Sequence, residues 1–184
     1  DMQAKYRRQS VDITPQRLRG KALGYLGRYA STSNNLREVL LRWVSRSAKT
    51  HDHNQTTVNF WIDQVVQDLL EQELLNDKAY AEGKIHALLR QGKPLWIIKR
   101  TLSAKGVEKD MIERVVCELK NAIHNPELAA AVNLARRKRL GPFGPSEQRL
   151  AKKVKDLEAL ARAGFGFDVA RSVVEAKSPE DFEF

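Results

Sequence analysis

Apolar side chains along this chain recur at intervals of three and four residues, the spacing that places them on one face of an α-helix. One such phrase occurs twice, in residues 106–116 and 164–174. Each copy has a glycine, an apolar residue, an aspartate four positions after the glycine, and two adjacent valines at its end. A fainter copy at residues 62–66 keeps the adjacent valines without the glycine. The pattern predicts a repeated helical unit.

The leading glycines of the two clear copies, Gly106 and Gly164, stand where a preceding helix must end. Glycine reaches the left-handed conformation that closes a helix without the steric cost of a Cβ. The phrase is therefore a helix–glycine–helix unit. Because no set of residues suited to chemistry accompanies it, the repeat favours a scaffold for surface recognition.

Helix starts divide the chain further, since Thr14-Pro15 and Asn125-Pro126 each place a capping residue before a proline at the first helical position. With few prolines and glycines and no alternating β-branched runs, we expect an all-α fold. Within this fold we expect a tandem array of three repeats, at 14–74, 75–124 and 125–177. Each repeat has three helices and is helix-turn-helix-like. A flexible basic arm, 1–13, precedes them and an acidic tail, 178–184, follows. Small units share apolar faces with their neighbours, so the array is expected to be elongated.

Some interior positions can be assigned from the same periodicity. In the third repeat, a helix after the Gly/Pro-rich turn at 141–145 is expected to direct Leu150, Val154, Leu157 and Ala161 inward. Cys117 falls inside a helical pattern, which predicts a small core residue in a reducing compartment.

The charge is strongly and unevenly basic. The net charge is +9, and positions 136–155 carry eight basic side chains and one acidic one. Such a surplus attracts a polyanion or an acidic protein surface. The candidate partner-binding or DNA-binding residues are the basic side chains that cluster on predicted helices. They are Arg28, Arg37, Arg42, Arg46, Lys93, Lys99, Arg100, Lys105, Arg136, Arg137, Lys138, Arg139, Arg149, Lys152 and Lys153.

Residues for catalysis or for binding a metal are not evident. No phosphate-binding glycine loop, serine elbow or zinc-protease motif occurs, and no nucleophile is paired with a base. His51 and His53 lie in a polar loop, 45–57, without the further ligands of a zinc site. We therefore predict no enzyme activity, no cofactor and no metal. No apolar run is long enough to span a bilayer, so we expect a cytoplasmic protein without a membrane partner.

The three tryptophans could stack on bases, but core packing is the simpler interpretation for two of them. Trp43 and Trp61 fall on or beside apolar stripes, so we expect them to pack against the core. Trp96 adjoins inward positions and is expected to be partly exposed.

Four segments together resemble the RecX family, regulators of the bacterial RecA recombinase. The stronger two contain Leu75-Asn76-Asp77 with Tyr80-Ala81, and Arg90-x-Gly92 continuing to Lys105-Gly106-Val107. The weaker two are residues 25–31 and 163–168. The likeness extends from about Leu18 to Val174. Two positions depart from the family pattern, since Tyr29 stands where a second arginine is common and Asn35 where a glutamate is common.

We expect a monomer, and the resemblance implies a non-enzymatic regulator that binds along the groove of the RecA–DNA filament. It would mainly inhibit recombinase, ATPase and coprotease activity, with further contact to single- or double-stranded DNA. Several small basic units in a row could touch neighbouring protomers at once, which raises avidity. Two alternatives stay open: a helix-turn-helix-like protein that binds DNA alone, and an adaptor for an unrelated acidic protein.

Overall fold

The computed structural model describes residues 12–47 and 54–182, and within these ranges the chain is helical with no strand. The expected all-α class is confirmed. Nine α-helices are present in the described part. They are α1 Pro15–Leu26, α2 Ser33–Ser47, α3 Gln55–Glu71, α4 Asp77–Arg90, α5 Leu95–Ala104, α6 Lys109–Ala122, α7 Pro126–Lys138, α8 Arg149–Arg162 and α9 Phe167–Val174.

The helix starts follow the capping signals in the sequence. The Thr14 hydroxyl accepts a hydrogen bond from the Arg17 amide at 3.3 Å, and Pro15 follows as the first helical residue. At the start of α7, Asn125 accepts from the Leu128 amide at 3.0 Å and Pro126 follows. Each cap satisfies an amide that the first helical turn leaves without a partner.

The repeated phrase forms the same local structure twice. Gly106 and Gly164 have φ of 81° and 99°, in the left-handed region. After each glycine the next amide bonds back to the helix, Val107 to the Leu102 carbonyl at 3.1 Å and Phe165 to the Leu160 carbonyl at 3.2 Å. This Schellman arrangement ends α5 and α8, and the buried adjacent valines of the phrase lie on α6 and α9.

The first compact unit spans Asp1–Asp77 and contains α1, α2 and α3. Its helices bury one face each around a common apolar core. The largest fully buried side chains there are Ile13, Leu18, Leu36, Leu40, Ile62 and Leu69. Trp43 and Trp61 are half-buried against this core, as expected.

The second unit spans Lys78–Phe184 and contains most of α4 and all of α5 to α9. One apolar core runs through it, from Ala81 on α4 to Val174 on α9. The residues predicted as the second and third repeats thus share a single core here. Their division into separate repeats stays a prediction.

Four predicted core positions are wrong: Cys117, Leu150, Val154 and Ala161 are exposed. Cys117 is exposed, because it lies about 200° around α6 from the buried Val115. On α8, Leu150 is 91% exposed and Val154 is 65% exposed. The inward face of that helix instead carries Asp156 and Leu160.

Two further predictions are corrected at their described ends. Ile13, placed in the predicted flexible arm, is buried in the core of the first unit. The loop predicted at 45–57 is shorter, because α2 extends to Ser47 and α3 begins at Gln55. Residues 1–11, His51, His53 and Glu183 lie outside the described residues. None of the helices in the described ranges is long and apolar enough to cross a membrane.

Candidate nucleic-acid and partner interface

A cleft of about 400 Å³ lies in the second unit, between the turn that joins α4 to α5 and the helices α7 and α8. Among the described residues that line it, four are basic and none is acidic: Lys93, Arg137, Lys138 and Arg162. A concave surface of one charge sign concentrates the electrostatic potential and attracts the opposite charge. The cleft is therefore suited to an anion.

Gly92 brings the walls of this cleft together. Its φ is 71°, and it ends α4 while the next amide, of Lys93, bonds back to the Leu88 carbonyl at 3.0 Å. A Cβ on Gly92 would lie 2.6 Å from the Leu134 Cβ and 2.7 Å from its Cα. The turn after α4 thus rests directly on the backbone of α7, which no residue larger than glycine allows without displacement.

Hydrogen bonds from α7 hold the same junction. The Asn133 amide group donates to the Leu89 carbonyl at 3.1 Å. The Arg137 guanidinium donates to the Gln91 carbonyl at 2.5 Å. The Arg137 bond orients the guanidinium without neutralising it, since its acceptor is an uncharged carbonyl.

The other cations of the cleft are little neutralised by acidic side chains of the described residues. Lys93 and Lys138 make no ion pair with any residue in the described part of the chain. Arg162 lies 3.6 Å from Glu158, one helical turn away, in a pair whose side chains are both well exposed. Exposed pairs of this kind interact weakly, so the net field of the cleft stays positive.

The basic run 136–139 is split by the turn of the helix. Arg137 and Lys138 line the cleft, whereas Arg136 packs over the Phe143 ring at 5.1 Å. Arg139 ends α7 with φ of 54° and is exposed. The run therefore contributes two cleft residues and two residues at the helix end.

The predicted cluster on α8 is largely engaged within its own unit. The Arg149 guanidinium donates to the Lys177 carbonyl at 2.9 Å and to the Ala176 carbonyl, fixing the chain after α9. Lys153 forms an ion pair with Glu175 at 2.6 Å. Only Lys152 of these candidates is exposed without an acidic partner among the described residues.

The candidates around α5 differ in their surroundings. Lys99 donates to both carboxylate oxygens of Glu113, at 2.8 and 2.9 Å, and this hydrogen bond lowers the pKa of Glu113. Arg100 stacks over the Trp96 ring at 5.3 Å. Lys105 follows the end of α5 and is exposed.

In the first unit, three of the four candidates make local contacts. Arg37 pairs with Asp63 at 2.6 Å, and this hydrogen bond raises the pKa of Arg37. Arg28 donates to the Gly24 carbonyl at 3.2 Å. Arg46 donates to the carbonyl of Arg42 at 3.1 Å, while the Arg42 side chain is exposed.

Comparison with known proteins identifies the family to which this chain belongs. The chain is 38% identical over 165 residues to the Regulatory protein RecX of Myxococcus xanthus, and the match covers 89% of this chain and 87% of that protein. The chain belongs to the RecX family. The Regulatory protein RecX of Agrobacterium fabrum is 28% identical, with 94% of this chain and 91% of that protein covered. These matches confirm the resemblance seen in the sequence motifs. No protein-family model matches the chain.

Two solved RecX structures share the fold. RecX from Lactobacillus salivarius superposes with a TM-score of 0.60 and 21% identity, covering 88% of this chain and 94% of that one. A second crystal structure of regulatory protein RecX gives a TM-score of 0.58 and 19% identity, covering 88% and 71% of the two chains. At these identities the likeness shows that the helical RecX fold is common to all three.

In this RecX-family chain, two features of the site went unpredicted. Arg162 lines the cleft, yet in the sequence it follows Glu158 by four residues and is typical of a solvated helical pair. Trp96 is 49% exposed, as expected, but its indole N–H also donates to the Gly164 carbonyl at 2.9 Å. Both contacts depend on packing between helices distant in sequence, which no local pattern encodes.

Proposed function

We propose that this chain regulates the RecA recombinase by binding the RecA–DNA filament. Membership of the RecX family, whose named relatives are regulatory proteins, supports a regulatory role. The main physical support is the cleft that gathers Lys93, Arg137, Lys138 and Arg162 with no acidic lining residue in the described part. When the cleft of this chain binds the filament, strand exchange, ATP hydrolysis and coprotease activity of RecA decrease.

Phosphate of the filament DNA is the ligand we assign to the cleft. Lysine and arginine neutralise phosphates and release condensed counterions, which gives affinity without reading sequence. The planar Arg137 guanidinium, already oriented by the Gln91 carbonyl, is suited to a phosphate oxygen. The regulator in this mechanism acts by occupying a site and carries out no reaction.

The test is cosedimentation with RecA filaments assembled on single-stranded DNA. Lys93→Glu/Lys138→Glu reverses two cleft charges, and Lys109→Glu/Lys120→Glu makes the same net-charge change at exposed positions on α6. We expect the cleft variant to bind at least about tenfold more weakly and the α6 variant to stay close to wild type. Equal loss in both variants would show that net charge, not the cleft, governs binding.

A titration on DNA without RecA addresses the alternative of an autonomous DNA-binding protein. Phosphate contact alone predicts weak binding to any sequence, with a salt slope that falls by about one for each cleft lysine removed. Tight binding to one duplex sequence, unaffected by RecA, would favour the alternative.

A further inference from the structure

The basic cleft has an apolar floor that a phosphate group leaves uncovered. Its four basic side chains are exposed and form a rim, whereas the apolar residues that line it are less exposed. These apolar residues are Ile97 on α5, Leu134 on α7, Ala159 on α8 and Ala163 directly after α8. Apolar surface in a concavity favours a ligand that is itself partly apolar, because contact removes both surfaces from water.

The size of the cleft also exceeds what one phosphate requires. Its volume of about 400 Å³ lies within the range of about 300–1,000 Å³ that is usual for small-molecule sites. Ala159 and Ala163 are one helical turn apart and carry only a methyl group each, so this wall has no side chain long enough to fill the space. The cleft therefore has room for a flat ring as well as for phosphate.

The rim supplies enough positive charge for several linked phosphates. Lys93, Arg137, Lys138 and Arg162 converge on one cavity. The Arg137 guanidinium is held by the Gln91 carbonyl at 2.5 Å and keeps further N–H groups for an oxyanion. A planar guanidinium can donate two parallel charge-assisted hydrogen bonds to phosphate, and such bonds are about twice as strong as neutral ones. A chain of phosphates can contact more of these cations at once than a single phosphate can.

Acidic side chains on the same helices do not line the cleft. Glu158 lies beside Arg162 on α8 at 3.6 Å, in a well-exposed pair. Glu127 at the start of α7 accepts a hydrogen bond from the Leu95 amide at 2.8 Å. Neither belongs to the lining, and among the described lining residues no carboxylate is present to repel phosphate.

We propose that the cleft binds a free nucleoside triphosphate, with the phosphates on the basic rim and the base against the apolar floor. One ligand then uses both parts of the cleft. The nucleotide competes with the phosphates of DNA for the same cations and so lowers the occupancy of the filament by this chain. That regulatory consequence rests on the function proposed above, whereas the binding of the nucleotide does not.

Other small ligands match only one part of the cleft. Inorganic polyphosphate pairs with the rim but leaves the apolar floor in contact with water. An uncharged nucleoside covers the floor but leaves the four cations without a counter-charge. A side-by-side measurement of the three ligands therefore separates a nucleotide site from a site for phosphate alone.

The test is isothermal titration calorimetry of the full chain with ATP, at physiological ionic strength and without RecA or DNA. We expect saturable binding of one nucleotide per chain. Lys93→Glu/Lys138→Glu should bind at least about tenfold more weakly, because two of the four rim cations become repulsive. Lys109→Glu/Lys120→Glu makes the same change in net charge on α6 and should bind as the wild type does. Circular dichroism of both variants controls for folding.

The two parts of the ligand are checked separately. Tripolyphosphate, which lacks the base, should bind about tenfold more weakly than ATP, and adenosine, which lacks the phosphates, should give no measurable binding. The methyl resonances of Ile97 and Leu134 should shift on addition of ATP. Absent binding of ATP, equal loss in both charge variants, tripolyphosphate binding as tight as that of ATP, or unshifted methyl resonances would each overturn the proposal.

Failure of this proposal is distinguishable from failure of the proposed function. If ATP binds as expected while Lys93→Glu/Lys138→Glu leaves cosedimentation with the filament unchanged, the cleft is a nucleotide site and its assignment to filament binding is wrong. If that variant loses cosedimentation while the wild-type chain fails to bind ATP, the filament assignment stands and the nucleotide site is excluded.

Discussion

Replacing Gly92 by alanine tests the packing that forms the basic cleft. At φ of 71° an alanine is in the left-handed region, which costs about 1–2 kcal/mol. Its Cβ would lie 2.6 Å from the Leu134 Cβ and 2.7 Å from Leu134 backbone atoms. Carbon atoms in contact are ordinarily about 3.5–4.0 Å apart, so α4 and α7 must separate by about 1 Å. Overpacking of this kind adds about 1–3 kcal/mol.

The expected loss in unfolding free energy for Gly92→Ala is therefore about 2–5 kcal/mol. Gly83→Ala is the matched control, since Gly83 lies inside α4 and an added Cβ there meets nothing within 4 Å. It should stabilise the protein by about 0.5–1 kcal/mol. Urea denaturation followed by circular dichroism measures both, and hydrogen exchange of α4 and α7 peptides assigns the change to the second unit. A Gly92→Ala cost below about 1 kcal/mol would refute the close contact with α7.

The remaining predictions concern other units and other groups. Glu73→Gly should raise the unfolding free energy by about 1 kcal/mol in urea denaturation, because Glu73 has φ of 55° and glycine relieves that conformation; a loss of stability would contradict this. The hydrogen bond from Lys99 holds the pKa of Glu113 below its ordinary value of 4.5. The pair therefore contributes stability above pH 4.5, and this contribution is lost as the pH falls through the pKa of Glu113 in the folded protein. A carboxyl titration by NMR should show the Glu113 pKa rising in Lys99→Met, and an unchanged pKa would exclude the pair. Exposed Cys117 should react with a thiol reagent at similar rates with and without urea, and strong protection in the native protein would indicate burial.

Where local chemistry decides the conformation, the sequence was a sufficient guide. Thr14-Pro15 and Asn125-Pro126 start helices because a capping oxygen and a proline act on adjacent residues. Gly106 and Gly164 end helices because only their own φ is involved. These signals reach no further than one helical turn, and they located the starts of α1 and α7 and the ends of α5 and α8.

Helix α8 shows why the buried face was harder to identify. The stripe predicted to face inward, Leu150, Val154, Leu157 and Ala161, is a more regular apolar pattern than the face that meets the core, yet only its Leu157 packs there. The inward face includes Asp156, whose burial is compensated by the Gly141 amide. Which stripe meets the core depends on the turn after α7, and periodicity within one helix cannot specify that.

The cleft required tertiary structure for a similar reason. The density of basic residues at 136–139 identified Arg137 and Lys138, but it also included neighbours that point elsewhere. Lys93 joins them because Gly92 permits contact with α7, and Arg162 joins them because α8 packs beside α7. The density of basic residues in the sequence therefore indicates the region of the cleft, while the packing of the helices determines which of these residues line it.

The DNA-dependent ATPase of RecA, measured with substoichiometric amounts of this chain, is the most direct test of the proposed regulation. The wild-type chain should lower the steady rate of ATP hydrolysis, and Lys93→Glu/Lys138→Glu should restore most of it at the same concentration. An unchanged rate with the wild-type chain at these same amounts would contradict the account.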